Sequence, residues 1–173
     1  FFYTGGTTGR SKGVMLTNSN FICNTNCTIP LYRLQSHWAF VIVGPLFHLA
    51  AGSRVFSSTA LGGHAVILPR FDVTSLLDAI ESYGVNSATL VPTMYQMILD
   101  HPDFLSFNLV SLKMLASGAA PLSAALLRRI LEAFPTTEFF QTYGMTEASP
   151  VLTSLDSKHH VLGGPNSGKS GSV

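Results

Sequence analysis

The chain has 173 residues, of which 46% are hydrophobic and 11% charged, with a formal net charge of +1. That length can bury the core of one domain. The near-neutral balance gives no argument for nucleic acid or a membrane surface as partner, and no apolar run is long enough to span a bilayer. So little charge points to a buried sheet, or to a surface covered by another part of a larger protein. No signal-peptide pattern opens the chain and its first residues read as core strand. It is therefore expected to be a fragment of a cytoplasmic protein, with both ends inside structured sequence.

The opening stretch, Phe1 to Gly13, carries the strongest local signal. Phe1-Phe2-Tyr3 runs into Thr4-Gly5-Gly6-Thr7-Thr8-Gly9, and Lys12 follows three places on. An apolar strand ending in a glycine- and threonine-rich loop is built to hold an anion. Glycines let backbone N–H groups approach and point inward, threonine hydroxyls add donors, and the lysine adds charge. A polyphosphate is the guest such a loop suits.

Val14-Met15-Leu16 then reads as a short strand or turn, and Asn18 or Ser19 caps a helix through Phe21 and Ile29 to Leu31. Cys23 and Cys27 share one face of it. With no further ligands nearby they read as buried reduced thiols. Ala39–Val43 is a continuous β-type run ended by Gly44-Pro45, and Pro45–Gly52 leads into a helix. His64–Leu68 is a strand closed by Pro69. Asp72 or Thr74 caps a helix bearing Leu76, Leu77, Ile80 and Tyr83, and Gly84 ends it. Ser87–Val91 is a strand, and Pro92 starts a short helix whose Met94 and Met97 fill core. Lys113–Ala116 is a strand; Ser123 caps a helix with Leu126, Leu127, Ile130, Leu131 and Phe134 on one face. Glu138–Gln141 is a strand, Pro150–Ser154 another, and the tail from Asp156 is polar and loop-like. The chain divides into an α/β unit over 1–155 and a polar connecting segment over 156–173.

Strands and helices alternate and the strands are continuously apolar, which predicts an α/β fold with a largely parallel sheet covered on both faces. Ligands of such sheets bind beyond the carboxyl ends of the strands. The opening loop, Pro45–His48, Ser117–Pro121 and Tyr143–Glu147 are each expected at such an end. Ser117-Gly118-Ala119-Ala120 lacks bulk and offers a flat backbone surface to a planar ring, unless it is only a tight turn. Tyr143 beside Gly144 is placed to stack on the same ring, or is a core aromatic. Thr146 supplies a hydroxyl. Glu147 supplies a carboxylate, and magnesium needs only one or two beside phosphate oxygens and water. His48 lines a second pocket or acts as acid or base, or is simply packed. His37, His64, His101, His159 and His160 carry no functional reading. Gly163–Ser170 matches the P-loop pattern, but no strand precedes it and no helix can follow in the three residues left, so the match is read as accidental.

These stretches together resemble the AMP-forming adenylating enzymes, the superfamily of acyl-CoA synthetases, peptide-synthetase adenylation domains and firefly luciferase. Tyr3–Gly13 is similar to the family's YTSGTTGxPKG phosphate loop, with Gly5 in place of Ser and Ser11 in place of Pro. This variant looks most like long-chain fatty-acid CoA ligases. Pro45-Leu46-Phe47-His48 resembles the motif whose His or aromatic gates the acyl pocket. Ser117–Pro121 resembles the adenine-binding turn, and Tyr143–Glu147 matches YGxTE. The four motifs occur in family order over residues 3 to 147.

The resemblance implies ATP, Mg²⁺ and coenzyme A as reaction partners, and a carboxylic acid, expected to be fatty, as substrate. Nucleotide contacts are implied for Thr4, Gly5, Gly6, Thr7, Thr8, Gly9 and Lys12, for Gly118, Ala119, Ala120 and Pro121, and for Gln141, Thr142, Tyr143, Gly144, Met145 and Thr146. Catalytic roles fall to Thr146, Glu147 and His48, with Glu147 on the metal. An adenylation domain loading an amino or aryl acid on a carrier protein, and a nucleotide-binding module without catalysis, are the alternatives. The family's ribose-binding Asp, hinge and C-terminal domain with its lysine have no counterpart in these residues. The piece alone is therefore expected to be inactive, to need the remainder of its polypeptide, and to meet membranes only peripherally.

Overall fold

Four apolar runs form the heart of the molecule: β3 (Ala39–Ile42), β5 (Ser87–Leu90), β6 (Met114–Ser117) and β7 (Glu138–Gly144) lie side by side and parallel. The computed structural model describes residues 1–4 and 9–160. β4 (His64–Ile67) adds a parallel edge beyond β3, and β8 (Val151–Leu155) adds an antiparallel edge beyond β7. The six-stranded order is β4-β3-β5-β6-β7-β8. The expected α/β fold with a largely parallel sheet is therefore what the chain forms.

Helices cover both faces. α3 (Val73–Tyr83), α4 (Pro92–Leu99) and α5 (Ala124–Ala133) pack on one, where Leu76, Ile80, Ile98, Leu127 and Ile130 meet Val41, Ala88 and Leu115. α1 (Asn18–Leu31) and α2 (Leu49–Ala60) lie on the other, where Tyr32 and Leu34 meet Phe40, Met114, Ala116 and Phe140. Alternate residues of one strand thus serve opposite cores, which is why these strands read as unbroken apolar runs. Truncating Leu76 or Leu115, both fully buried, to Ala would cost about 2–5 kcal/mol.

Local signals set several boundaries as expected. The Asp72 carboxylate accepts from the Ser75 N–H at 2.8 Å, and Gly84 ends α3 at φ 58°. Ser123 Oγ accepts from the Leu126 N–H at 3.2 Å, and Pro92 opens α4. Pro costs nothing there, because the first helical N–H lacks a partner anyway.

Other expectations fail for physical reasons. β1 (Phe2–Thr4) does not enter the main sheet; it pairs with β2 (Lys12–Val14) as a separate antiparallel hairpin. Two strands have no second layer to share, so Phe1 and Tyr3 stand 82% and 67% exposed while Phe2 packs 5.8 Å from Phe21. The α1 cap is Thr17, not Asn18 or Ser19: its hydroxyl accepts from the Asn20 N–H while the Asn20 side chain accepts from the Thr17 N–H. This reciprocal pair satisfies two orphan donors at once. Cys23 and Cys27 are exposed, not buried, because the inward stripe of α1 runs through Phe21, Thr25 and Thr28. Met94 packs against the core, but Met97 points outward.

β7 runs on through Thr142 and Tyr143 to Gly144, beyond its expected end, because β8 folds back beside it. The segment after Asp156 begins as a one-turn helix, Ser157–His159, rather than a loop. Arg33 fixes it by donating to both Asp156 carboxylate oxygens, at 3.0 and 2.9 Å, and to Glu138 at 2.8 Å. Gly163–Ser170 lies outside the described residues.

Candidate functional site

A cleft of about 380 Å³ opens beyond the carboxyl ends of β3, β5, β6 and β7. It sits where the chain changes direction. From β3 the chain crosses by α2 to β4 on one side, and from β5 it proceeds by α4 to β6 on the other. Loops diverge at such a switch point and leave a crevice, the usual ligand site of open α/β sheets.

Three of the four stretches singled out in the sequence line this cleft. Pro45 and His48 come from the β3–α2 connection, Gly118 and Ala119 from the turn after β6, and Thr142 to Thr146 from the end of β7. His48 is the N-terminal cap residue of α2, exposed, with its ring 4.7 Å from that of Phe47.

The Gly118 turn is tight. Thr142 Oγ1 donates to the Ser117 carbonyl at 3.2 Å, and a Cβ at Gly118 would come within 2.7 Å of that same oxygen. Ala119 takes a left-handed φ of 66°. Glycine at 118 lets the β6 and β7 ends close up, leaving bare backbone facing the cleft. A register shift between Tyr143 and Gly144 breaks the β7–β8 ladder, and a Cβ at Gly144 would run into the Pro150 carbonyl. Such irregularities re-aim side chains at sites; Tyr143 is 55% exposed at the rim.

The remaining predicted residues divide. Glu147 sits exposed in the one-turn helix Thr146–Ala148, next to Thr146 but not on the cleft wall. β1 packs against that one-turn helix, which ties the opening hairpin to the cleft. Thr4 ends β1, its hydroxyl 3.5 Å from the Lys12 carbonyl, and Lys12 and Gly9 are exposed. Gly5, Gly6, Thr7 and Thr8 lie outside the described residues. Ala120 and Pro121 are exposed beyond the Gly118 turn, and Gln141 is buried within β7; none of the three lines the cleft.

Among the lining residues not expected from the sequence are Tyr32, Thr89 and Arg54. Arg54 is 5% exposed, and its guanidinium lies 5.3 Å from the Tyr32 ring centroid. Burial holds its pKa below the usual range, with Tyr32 opposing. Burial likewise raises the Tyr32 phenol, against Arg54, Thr142 and Ser154. One signal was available: Arg54 is the lone charged residue of an α2 segment otherwise small, apolar or hydroxylated.

The cleft suits a planar guest with a hydrogen-bonding group by three observations: a bare glycine turn, an exposed aromatic ring on the same cleft, and a Thr89 hydroxyl with no partner among the described residues. No group of three or more His, Cys, Asp or Glu converges among the described residues. A single carboxylate such as Glu147 is the kind of ligand magnesium takes beside phosphate oxygens and water.

Residues 1–171 match the model of the AMP-binding enzyme family, and the chain belongs to that family. It is 42% identical over 158 residues to a feruloyl-CoA synthase of Amycolatopsis sp, covering 91% of this chain and 32% of that protein. It is 34% identical over 159 residues to a medium/long-chain-fatty-acid–CoA ligase of Mycobacterium tuberculosis, covering 91% and 27%. The N-terminal domain of FACL13 from Mycobacterium tuberculosis, solved with an inhibitor, superposes with a TM-score of 0.83 at 27% identity, covering 91% of this chain and 39% of that one. An o-succinylbenzoate coenzyme A synthetase of Bacillus subtilis, solved with ATP and magnesium, gives 0.82 at 29% identity, covering 91% and 32%. The chain spans about a third of the length of the curated relatives it matches. No helix among the described residues is long and apolar enough to cross a membrane.

Proposed function

We propose that this chain is the nucleotide-binding core of an AMP-forming acid–CoA ligase. The observation that carries the reading is the convergence of His48, the Gly118–Ala119 turn and Thr142–Thr146 on one cleft at the switch point of a parallel sheet.

In this reading the adenine ring of ATP lies between the Tyr143 ring and the Gly118–Ala119 backbone, with Thr142, Gly144 and Met145 shaping the wall. Thr146 donates to the α-phosphate. Thr4 to Gly9 and Lys12 hold the β- and γ-phosphates, reached because the hairpin packs on the Thr146–Ala148 turn. Glu147 holds Mg²⁺, which supplies charge neutralisation at the phosphates. His48 stands at the mouth of the space for the acid.

The chemistry then follows. A carboxylate oxygen of the acid attacks the α-phosphorus, and the bond from that phosphorus to the bridging oxygen breaks. Its electron pair leaves with pyrophosphate. No base is required, because the carboxylate is already ionised; alignment and charge neutralisation lower the barrier. The sulfur of coenzyme A next attacks the acyl carbonyl, its proton passes to solvent, and AMP leaves.

The fatty-acid reading is supported by the Thr4-Gly5-Gly6 form of the loop and by the fatty-acid ligase relative. A second reading, an aromatic acid substrate, is favoured by the higher identity to feruloyl-CoA synthase. The test is acid-dependent exchange of labelled pyrophosphate into ATP by the complete polypeptide, followed by thioester formation when coenzyme A is added. Exchange without thioester would point to a carrier-protein acceptor. No exchange with any aliphatic, aromatic or amino acid would leave nucleotide binding alone.

A further inference from the structure

Among the described residues, Arg54 is the one strongly buried charge on the cleft wall. Its Nε and Nη2 donate only to the Ser53 hydroxyl, at 3.4 and 3.3 Å, and Nη1 has no partner among the described residues. The ion pairs among those residues involve Arg33 and Arg129, never Arg54. A guanidinium stays charged at any physiological pH, and burying that charge without an anion costs several kcal/mol. The Tyr32 ring covers one face of it, and leaves its edge donors for a partner.

Depth says which part of a bound acid that partner belongs to. Ala119, Tyr143 and Met145, three of the side chains read as nucleotide contacts, are exposed, whereas Arg54 and Tyr32 are at most 5% exposed. The reacting carboxylate must stay at the rim, near Thr146, to meet the α-phosphate. Val41, Val43, Leu49 and Leu90 also line the cleft and make part of its wall apolar, matched to hydrocarbon. An acid with its reacting end among the exposed residues sends its other end toward the buried ones, Arg54 among them.

We propose that Arg54 is a specificity-determining residue that pairs with a second anionic group, such as a carboxylate, at the far end of the acid. This rests on the acid-activating reading above and narrows its substrate class: acids with an anionic tail are activated in preference to those ending in plain hydrocarbon.

The test uses the complete polypeptide and pyrophosphate exchange with two matched pairs, octanedioate against octanoate and 4-carboxycinnamate against cinnamate. In whichever pair supports exchange, kcat/KM is expected to be about tenfold or more higher for the charged-tail acid. Arg54→Leu should abolish that preference and raise use of the uncharged partner, while Arg54→Lys should keep part of it. Equal use of both members, exchange driven only by uncharged-tail acids, or a preference that survives Arg54→Leu would overturn the proposal while leaving acid activation standing. Exchange with no acid at all overturns both. If Arg54→Leu does not fold, the selectivity of the unmodified protein decides.

Discussion

Gly118 and Thr142 are locked together: the Thr142 hydroxyl bonds the Ser117 carbonyl at 3.2 Å, and only a hydrogen on the Gly118 α-carbon fits beneath it. A methyl group there would sit 2.7 Å from Thr142 Oγ1 and 3.1 Å from the Thr142 carbonyl. The hydroxyl can rotate, but the carbonyl belongs to the β7 ladder and cannot move freely. Gly118→Ala is expected to cost about 1–3 kcal/mol of stability and to raise the apparent KM for ATP. A urea melt and ATP-dependent exchange on the complete protein check both effects; unchanged values would mean the turn yields easily.

Ala119 gives the opposite expectation. It holds a φ of 66° without being glycine, a conformation that costs an L-residue roughly 1 kcal/mol. Ala119→Gly removes that cost but adds entropy to the unfolded chain. Stability should therefore change by less than about 1 kcal/mol, in contrast to the loss at Gly118. A larger loss on melting would show that the Ala119 methyl group makes a contact worth more than the strain.

Tyr143 and Glu147 are both exposed, so their replacement should spare the fold. Tyr143→Ala should raise the apparent KM for ATP about tenfold, in keeping with roughly 1–3 kcal/mol for a base stacked on an aromatic ring. Glu147→Gln should reduce adenylation about 100-fold, equivalent to about 2.7 kcal/mol in the barrier, and shift its dependence on Mg²⁺. Normal Mg²⁺ dependence in Glu147→Gln would remove that carboxylate from the metal.

His160 supplies a pH dependence unrelated to the cleft. It is 4% exposed, its ring lies 5.2 Å from that of Phe139, and neither ring nitrogen has a partner among the described residues. Burial holds its pKa below the usual value; the Leu155 backbone and Asp156 pull upward, His159 pushes further down, and burial prevails. The unfolded chain therefore takes up this proton at a pH where the folded chain does not. The His160 contribution is full above about pH 6.5 and is lost as pH falls from there through the lower folded value. Urea midpoints should drop between about pH 7 and about pH 5, and His160→Phe should flatten that slope. An equally steep slope in His160→Phe would place the titration elsewhere.

The strands and most helix ends were legible from the chain because their causes are local. Ala39–Ile42 and Met114–Ser117 are apolar on both faces, Asp72 and Ser123 bond N–H groups three residues on, and Gly84 supplies the left-handed end. Local chemistry misled where partners lay far off. Phe1 and Tyr3 look like core, yet among the described residues β1 pairs only with Lys12–Val14. Cys23 and Cys27 share a face, yet which face of α1 turns inward depends on Phe56 of α2, stacked on Phe21 at 4.6 Å.

The sequence by itself determined the α/β alternation and the glycine, proline and aromatic punctuation of Pro45–His48, Ser117–Pro121 and Tyr143–Glu147, because those follow from backbone preference and short-range bonding. Only the tertiary structure decided that these stretches share a cleft, since the parallel order β3-β5-β6-β7 aligns their ends. It also decided the state of Arg54. A single arginine in a helix of small and apolar residues stands out in the sequence, but nothing local says whether it is buried. It becomes a buried, unmatched charge only because α2 lays it over Tyr32 at the end of α1, and desolvation is a property of everything packed around a group, not of its neighbours in the chain.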